Sequence, residues 1–320
     1  METPSFTKTT NVQLAKAFMD LLPPSASITH QYATACQALH LQREQVVSTL
    51  ERNWDLQTHR ETAREQLIDY YHQISSPPVS TLLVAGNKWL GGKFEWRDAL
   101  GLGRACKDNC GRLELVNIVY NIGVAAAACG SELLSGRRRP DSLPEAKNHF
   151  SEAAGAFDHA AELVREGGFD PPYNPAKVNM ELREEALQAL SGVMGAYSMR
   201  CFYEKAREDG KSAGVLAKIA SQCSLVYDRA SELLKDAMAA GGKAHQRWMT
   251  GWRVYIDAES SYFQAQARIH AADHVHMTEP ARQLAHLKSA KSLLDAVHST
   301  SNSTSAKLGG GGGSPRGTGG

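Results

Sequence analysis

From about residue 110 onward, apolar residues return at three- and four-residue steps in nearly every segment, the period of an amphipathic helix. The clearest run is Ala146, Phe150, Ala153, Phe157, Ala160 and Val164. It is opened by Ser142-Leu-Pro-Glu145, with the S-x-x-E spacing of a capping box, and stopped by Gly167-Gly168. The same pattern predicts helices over 111–135, 177–207, 213–240, 244–271 and 279–298, with Gly241-Gly242 closing the helix from 213 and Thr278 capping the last. Upstream, 30–50 and 57–75 also read as helices. Segment 111–135 is apolar almost all round (Leu113, Leu115, Val116, Ile118, Val119, Ile122, Ala125 to Ala128), so it is predicted to lie buried.

Only Thr81 to Trp96 reads as extended. Leu82-Leu83-Val84 and Phe94-Glu95-Trp96 flank glycines at 86, 91 and 92, which predicts a hairpin. The fold class is therefore mostly α: consecutive antiparallel helix hairpins stacked into an array, with a small β-hairpin in the first third. Residues 1–300 are expected to form one domain, and 301–320, rich in glycine and serine, a disordered tail.

Composition narrows the function classes. The chain has 320 residues, 35 Lys+Arg against 34 Asp+Glu, and 42% hydrophobic residues, enough for a large core. A net charge of +1 supplies no general attraction for nucleic acid or an anionic membrane. The apolar stretch 115–131, free of Asp, Glu, Lys and Arg, contains Asn117 and Asn121 and is short for a membrane span. The first residues lack the apolar run of a secretory signal, and six scattered cysteines read as reduced thiols of a cytoplasmic protein.

The strongest candidate for chemistry is His270-Ala-Ala-Asp273-His274-Val-His276, because histidines four apart on a helix share a face and can share a metal. The alternative is a solvated, histidine-rich helix end. Cys106-x3-Cys110 lacks zinc-ligand spacing, and Cys129, Cys201 and Cys223 on apolar stripes read as small buried thiols. There is no G-x-S-x-G, no Walker A motif and no G-x-G-x-x-G. No catalytic residue, cofactor or metal is therefore expected, the alternative being a metal-dependent hydrolase using His270, Asp273 and His274. Arg137-Arg138-Arg139 reads as a solvated basic loop.

One helix carries more apolar surface than a single packing face needs. In 213–240, Leu216, Ala220, Cys223, Tyr227, Ala230 and Leu234 form a stripe for the core, while Val215, Ile219 and Val226 lie on an adjoining line, with Phe202 of the preceding helix able to sit beside them. Such a surplus either meets another helix of the array or is a patch on which a partner helix docks.

Phe94-Glu-Trp96-Arg-Asp98-Ala99 resembles the F-x-W-x-D-A signature of the BRO (Bro-one) domain of Alix-like, ESCRT-associated adaptors. The likeness extends in order through Lys8-Thr9-Thr10, Gln66 to Ser75, the N-x-x-x-N-x-G pattern at Asn117, Asn121 and Gly123, Ala153 to Phe157, and Cys201 to Gln222. It implies a curved, boomerang-like array with TPR-like hairpins and a non-enzymatic adaptor in endosomal and multivesicular-body sorting. Its partner would be the C-terminal amphipathic helix of ESCRT-III charged multivesicular body proteins. The binding patch falls on Phe202, Val215 and Ile219, flanked by Lys211 and Lys218 for an acidic partner. The resemblance also implies cytoplasmic residence with recruitment to endosomes, membrane contact only through partners, and a C-terminal part shorter than usual for the family. A BRO-fold signalling scaffold of the rhophilin type is the alternative within the same fold.

Overall fold

The computed structural model describes residues 4, 7–9, 26–51, 58–77, 79–80, 94–99, 105–108, 111–135, 139–169, 174, 179–275 and 278–309. In chain order these form β1 (Lys8–Thr9), α1 (Ala26–Glu51), α2 (Thr58–Ser75), β2 (Phe94–Arg97), β3 (Cys106–Asp108), α3 (Arg112–Ser135) and α4 (Ser142–Glu166). A 3-10 turn (Met180–Leu182), α5 (Glu184–Glu208), α6 (Ala213–His274) and α7 (Pro280–Gly309) follow.

Helix α3 is the axis of the first half. Every residue from Leu113 to Gly130 is buried, with α2 on one side and α4 on the other. Among the described residues it is the one helix long and apolar enough to cross a membrane, but its apolar window is wholly enclosed by protein. It comes close to α4 because Gly123 and Gly130 carry no side chain: a Cβ there would lie 2.9 Å from the Phe157 ring and 3.1 Å from the Phe150 ring. The α4 stripe predicted from periodicity (Ala146, Phe150, Ala153, Phe157, Ala160, Val164) is buried throughout.

The capping box is not formed. Ser142 is the first helical residue, its Oγ accepts the Arg139 N–H at 2.9 Å, and Glu145 pairs with the Arg139 guanidinium at 3.1 Å. A hydroxyl already bonded upstream leaves the helix's own N–H groups to other acceptors. Thr278 is likewise no cap: its hydroxyl donates to Val275 O at 3.0 Å, and α7 starts two residues later.

The β element is a three-stranded antiparallel sheet in the order β1-β2-β3. Phe94–Arg97 is a strand as expected, but it pairs with Lys8–Thr9 on one edge and Cys106–Asp108 on the other. The expected partner Leu82–Val84 lies outside the described residues. Trp96, fully buried, donates Nε1–H to Glu114 at 2.7 Å; Tyr70 donates to the same carboxylate at 2.9 Å. Arg43 completes the group, with Nε at 2.8 Å from Glu114 and Nη2 at 3.0 Å from the Thr9 hydroxyl. Asn121 Oδ1 accepts the Thr7 N–H at 2.9 Å and so anchors the N-terminal segment on α3. The signature residues that carried the resemblance thus hold the sheet against the helices.

The second half is built of hairpins. Helix α4 packs on α5, α5 on α6 and α6 on α7. The helical backbone of α6 runs 62 residues, yet Ser231 Oγ bonds Asp257 and Ser224 Oγ lies 3.3 Å from Ser260 Oγ. Along a straight helix at about 1.5 Å per residue, Ser231 and Asp257 would be roughly 40 Å apart. Helix α6 therefore folds back on itself, and these pairs centre the reversal on residues 242–244, next to the predicted Gly241-Gly242 break. Tyr227 on the first arm stacks on Phe263 of the second, ring centroids 5.4 Å apart. Helix α7 continues to Gly309, so the expected boundary at 300 falls within it; residues 310–320 lie outside the described residues.

Candidate protein-binding surface

The turn from α5 to α6 sets the geometry of the surface. Gly210 adopts φ +67°, Gly210 N–H bonds Arg207 O at 3.1 Å, and Lys211 N–H reaches back to Ala206 O at 3.1 Å. This is a Schellman closure, which needs a left-handed residue after the cap and so favours glycine. Lys205 bridges Asp209 at 2.8 Å beside it and holds that exposed carboxyl below its usual pKa.

Across the hairpin, Cys223 Sγ lies 3.6 Å from Met199 O, which sets Phe202 of α5 level with the Ile219–Ala220 turn of α6. Leu216, Ala220, Cys223, Tyr227, Ala230 and Leu234 are all buried, as the stripe requires. The adjoining line is not. Phe202 is 44% exposed and Val215 42%, whereas Ile219 and Val226 are half-buried against the core. The structure thus brings Phe202, Val215 and Ile219 to one hairpin end, with Ile219 shared between surface and core.

Lys211, in the turn, and Lys218 are both exposed. Lys218, however, lines a groove of about 540 Å³ on the other side of the same arm, with Ser221, Leu225, Arg268 and Leu293. Leu225, 59% exposed, is the apolar residue that the sequence reading missed. Its position on the outer face was legible from helical rotation, but not that nothing described covers it. Leu284, Leu287 and Leu294 of α7 are exposed as well.

The described residues of the histidine-rich segment face different neighbours. Tyr203 OH lies 2.8 Å from His270 Nε2, and burial lowers the pKa of that imidazole. His274 lies against Gly214, and His276 is outside the described residues. Among the described residues, His270, Asp273 and His274 do not converge as three metal donors.

Comparison with known proteins agrees with this architecture. The chain is 29% identical over 187 residues to the pH-response regulator protein palA/RIM20 of Pyricularia oryzae, covering 57% of this chain and 20% of the relative. It is 27% identical over 210 residues to the ALG-2 interacting protein X of Dictyostelium discoideum, covering 66% and 24%. With the vacuolar-sorting protein BRO1 of Arabidopsis thaliana it shares 26% over 216 residues, covering 67% and 24%. The chain therefore spans about a fifth to a quarter of the length of these relatives. Among solved structures, the BRO1 domain of ALIX in complex with CHMP4C superposes with a TM-score of 0.76 at 21% identity, covering 93% of this chain and 80% of that one. ALIX in complex with the SIVmac239 PYKEVTEDL late domain gives 0.74 at 22% identity, covering 95% and 42%. The family match spans residues 4–309, taking in the sheet, the α3 axis and every hairpin described above, and the chain belongs to the BRO1-like domain family.

Proposed function

We propose that the chain is a non-enzymatic adaptor whose α5–α6 hairpin end binds the C-terminal amphipathic helix of an ESCRT-III charged multivesicular body protein. The observation that carries this reading is the exposure of Phe202 and Val215 beside half-buried Ile219, an apolar strip at the end of the hairpin. The complex of the ALIX BRO1 domain with CHMP4C supports the choice of partner.

The mode is helix-in-groove. Apolar anchors spaced i, i+3 and i+4 on the partner lie on Phe202, Val215 and Ile219, gaining ~25 cal/mol per Å² of apolar surface before association costs. Lys211, with Lys218 around the helix, draws an acidic partner and acts mainly on encounter and specificity. Binding of this kind recruits a cytoplasmic chain to endosomes through its partner, with no direct membrane contact.

The test is a titration of the chain with an ESCRT-III C-terminal helical peptide. Val215→Asp and Phe202→Asp weaken binding at least about tenfold with circular dichroism unchanged, because both side chains are largely outside the core. Equal affinity for parent and variants would remove the patch from the binding site. Ile219→Asp also lowers stability, since Ile219 packs against the core.

A further inference from the structure

Glu61 of α2, Cys129 of α3 and His149 of α4 each bring one donor atom within 4.8 Å of the other two. They are far apart in sequence, and nothing in their spacing suggests a common site. Cys129 is 6% exposed, and the His149 and Glu61 side chains 17% and 52%. The thiol and the imidazole are therefore held by packing, while the carboxylate reaches in from the rim.

The two oxygens of Glu61 have different surroundings. Oε1 lies 3.4 Å from Arg64 Nη2, and Oε2 lies 4.0 Å from His149 Nε2. Arg64 is also engaged with Glu152 at 3.5 Å, while the Glu61 carboxylate faces both the His149 imidazole and the Cys129 thiol, which hydrogen-bonds to it. Burial above all, then the Glu61 carboxylate, pushes the Cys129 thiol pKa up to about 12, with Arg64 opposing and Glu132, one helical turn further on, adding least. A sulfur, an imidazole nitrogen and a carboxylate oxygen facing one another make a donor set suited to zinc.

We propose that Glu61, Cys129 and His149 form a three-ligand zinc site joining α2, α3 and α4, with the fourth position taken by water. Bound donors at ~2.0–2.3 Å from a metal stand closer together than these do, so Glu61 swings inward on binding. Cys129 gives up its thiol proton to solvent, and the thiolate and carboxylate together balance the charge of the ion.

The test uses the whole chain, stripped with chelator and titrated with Co²⁺ and then Zn²⁺. One equivalent of Co²⁺ is expected to give a thiolate charge-transfer band that Zn²⁺ abolishes and that Cys129→Ser lacks. Glu61→Gln and His149→Ala weaken binding about tenfold or more, while His274→Ala, remote from the cluster, binds like the parent. Absence of a saturable band at millimolar Co²⁺, or a band retained in Cys129→Ser, overturns the site. Should Cys129→Ser fail to fold, the exposed Glu61→Gln decides: affinity equal to the parent overturns the assignment.

Discussion

The Arg43 guanidinium grips both oxygens of the Glu114 carboxylate, at 2.8 Å and 3.2 Å, with neither side chain exposed by more than 1%. Glu114 also accepts from Tyr70 and Trp96, so one carboxylate ties α1, α2, α3 and the sheet together. Removing the cation leaves a buried charge without compensation. Arg43→Met is expected to cost about 3–5 kcal/mol in chemical denaturation. A loss below ~1 kcal/mol would mean that the pair does not organise this end of the fold.

Glu181 is buried, accepts the Ala99 N–H at 2.9 Å and feels the Asp98 charge; burial above all pushes its carboxyl from 4.5 up to about 7. A raised carboxyl favours the folded state only while protonated. Its contribution is therefore present below pH 4.5 and lost as pH rises to about 7. At about 1.4 kcal/mol per pKa unit, the loss is about 3 kcal/mol. Glu181→Gln should melt higher than the parent at pH 8, with the gap closing toward pH 4.5. A gap independent of pH would show that Glu181 does not titrate in this window.

Gly210 holds the hairpin closure at φ +67°. A β-branched residue pays heavily in the left-handed region, so Gly210→Val is expected to cost ~1–2 kcal/mol. Unchanged melting would show that the turn tolerates another closure.

Lys211 and Lys218 should act on rate. Lys211→Glu with Lys218→Glu slows association with an acidic helical peptide several-fold at low salt, and the difference shrinks at high salt as screening removes it. A stopped-flow comparison reads this directly. A change confined to dissociation would instead place the lysines in close contact with the peptide.

Much of the fold was legible because helices declare themselves by period. The α4 stripe, the buried α3 and the reversal next to Gly241-Gly242 all follow from apolar spacing and glycine stops. What the sequence hid depends on tertiary partners. Arg43 and Glu114 read as two charges among many; only the fold makes them a buried pair. Two-residue β1 has no period to find, and Ser142 shows capping spacing although its hydroxyl serves Arg139. Rotation about α6 separated Val215 from Leu216, yet it could not say that Leu225 is bare or that Lys218 faces a second groove. The three donors at Glu61, Cys129 and His149 meet only through packing.

On the proposed function, the partner helix lies on the α5–α6 hairpin end rather than in the groove between α6 and α7. Hydrogen exchange with and without saturating ESCRT-III peptide separates the two surfaces in one experiment. Slower exchange over 199–226 with little change over 264–293 is the predicted result. Protection centred on the groove lined by Leu225, Arg268 and Leu293, with Phe202 and Val215 unaffected, would contradict it.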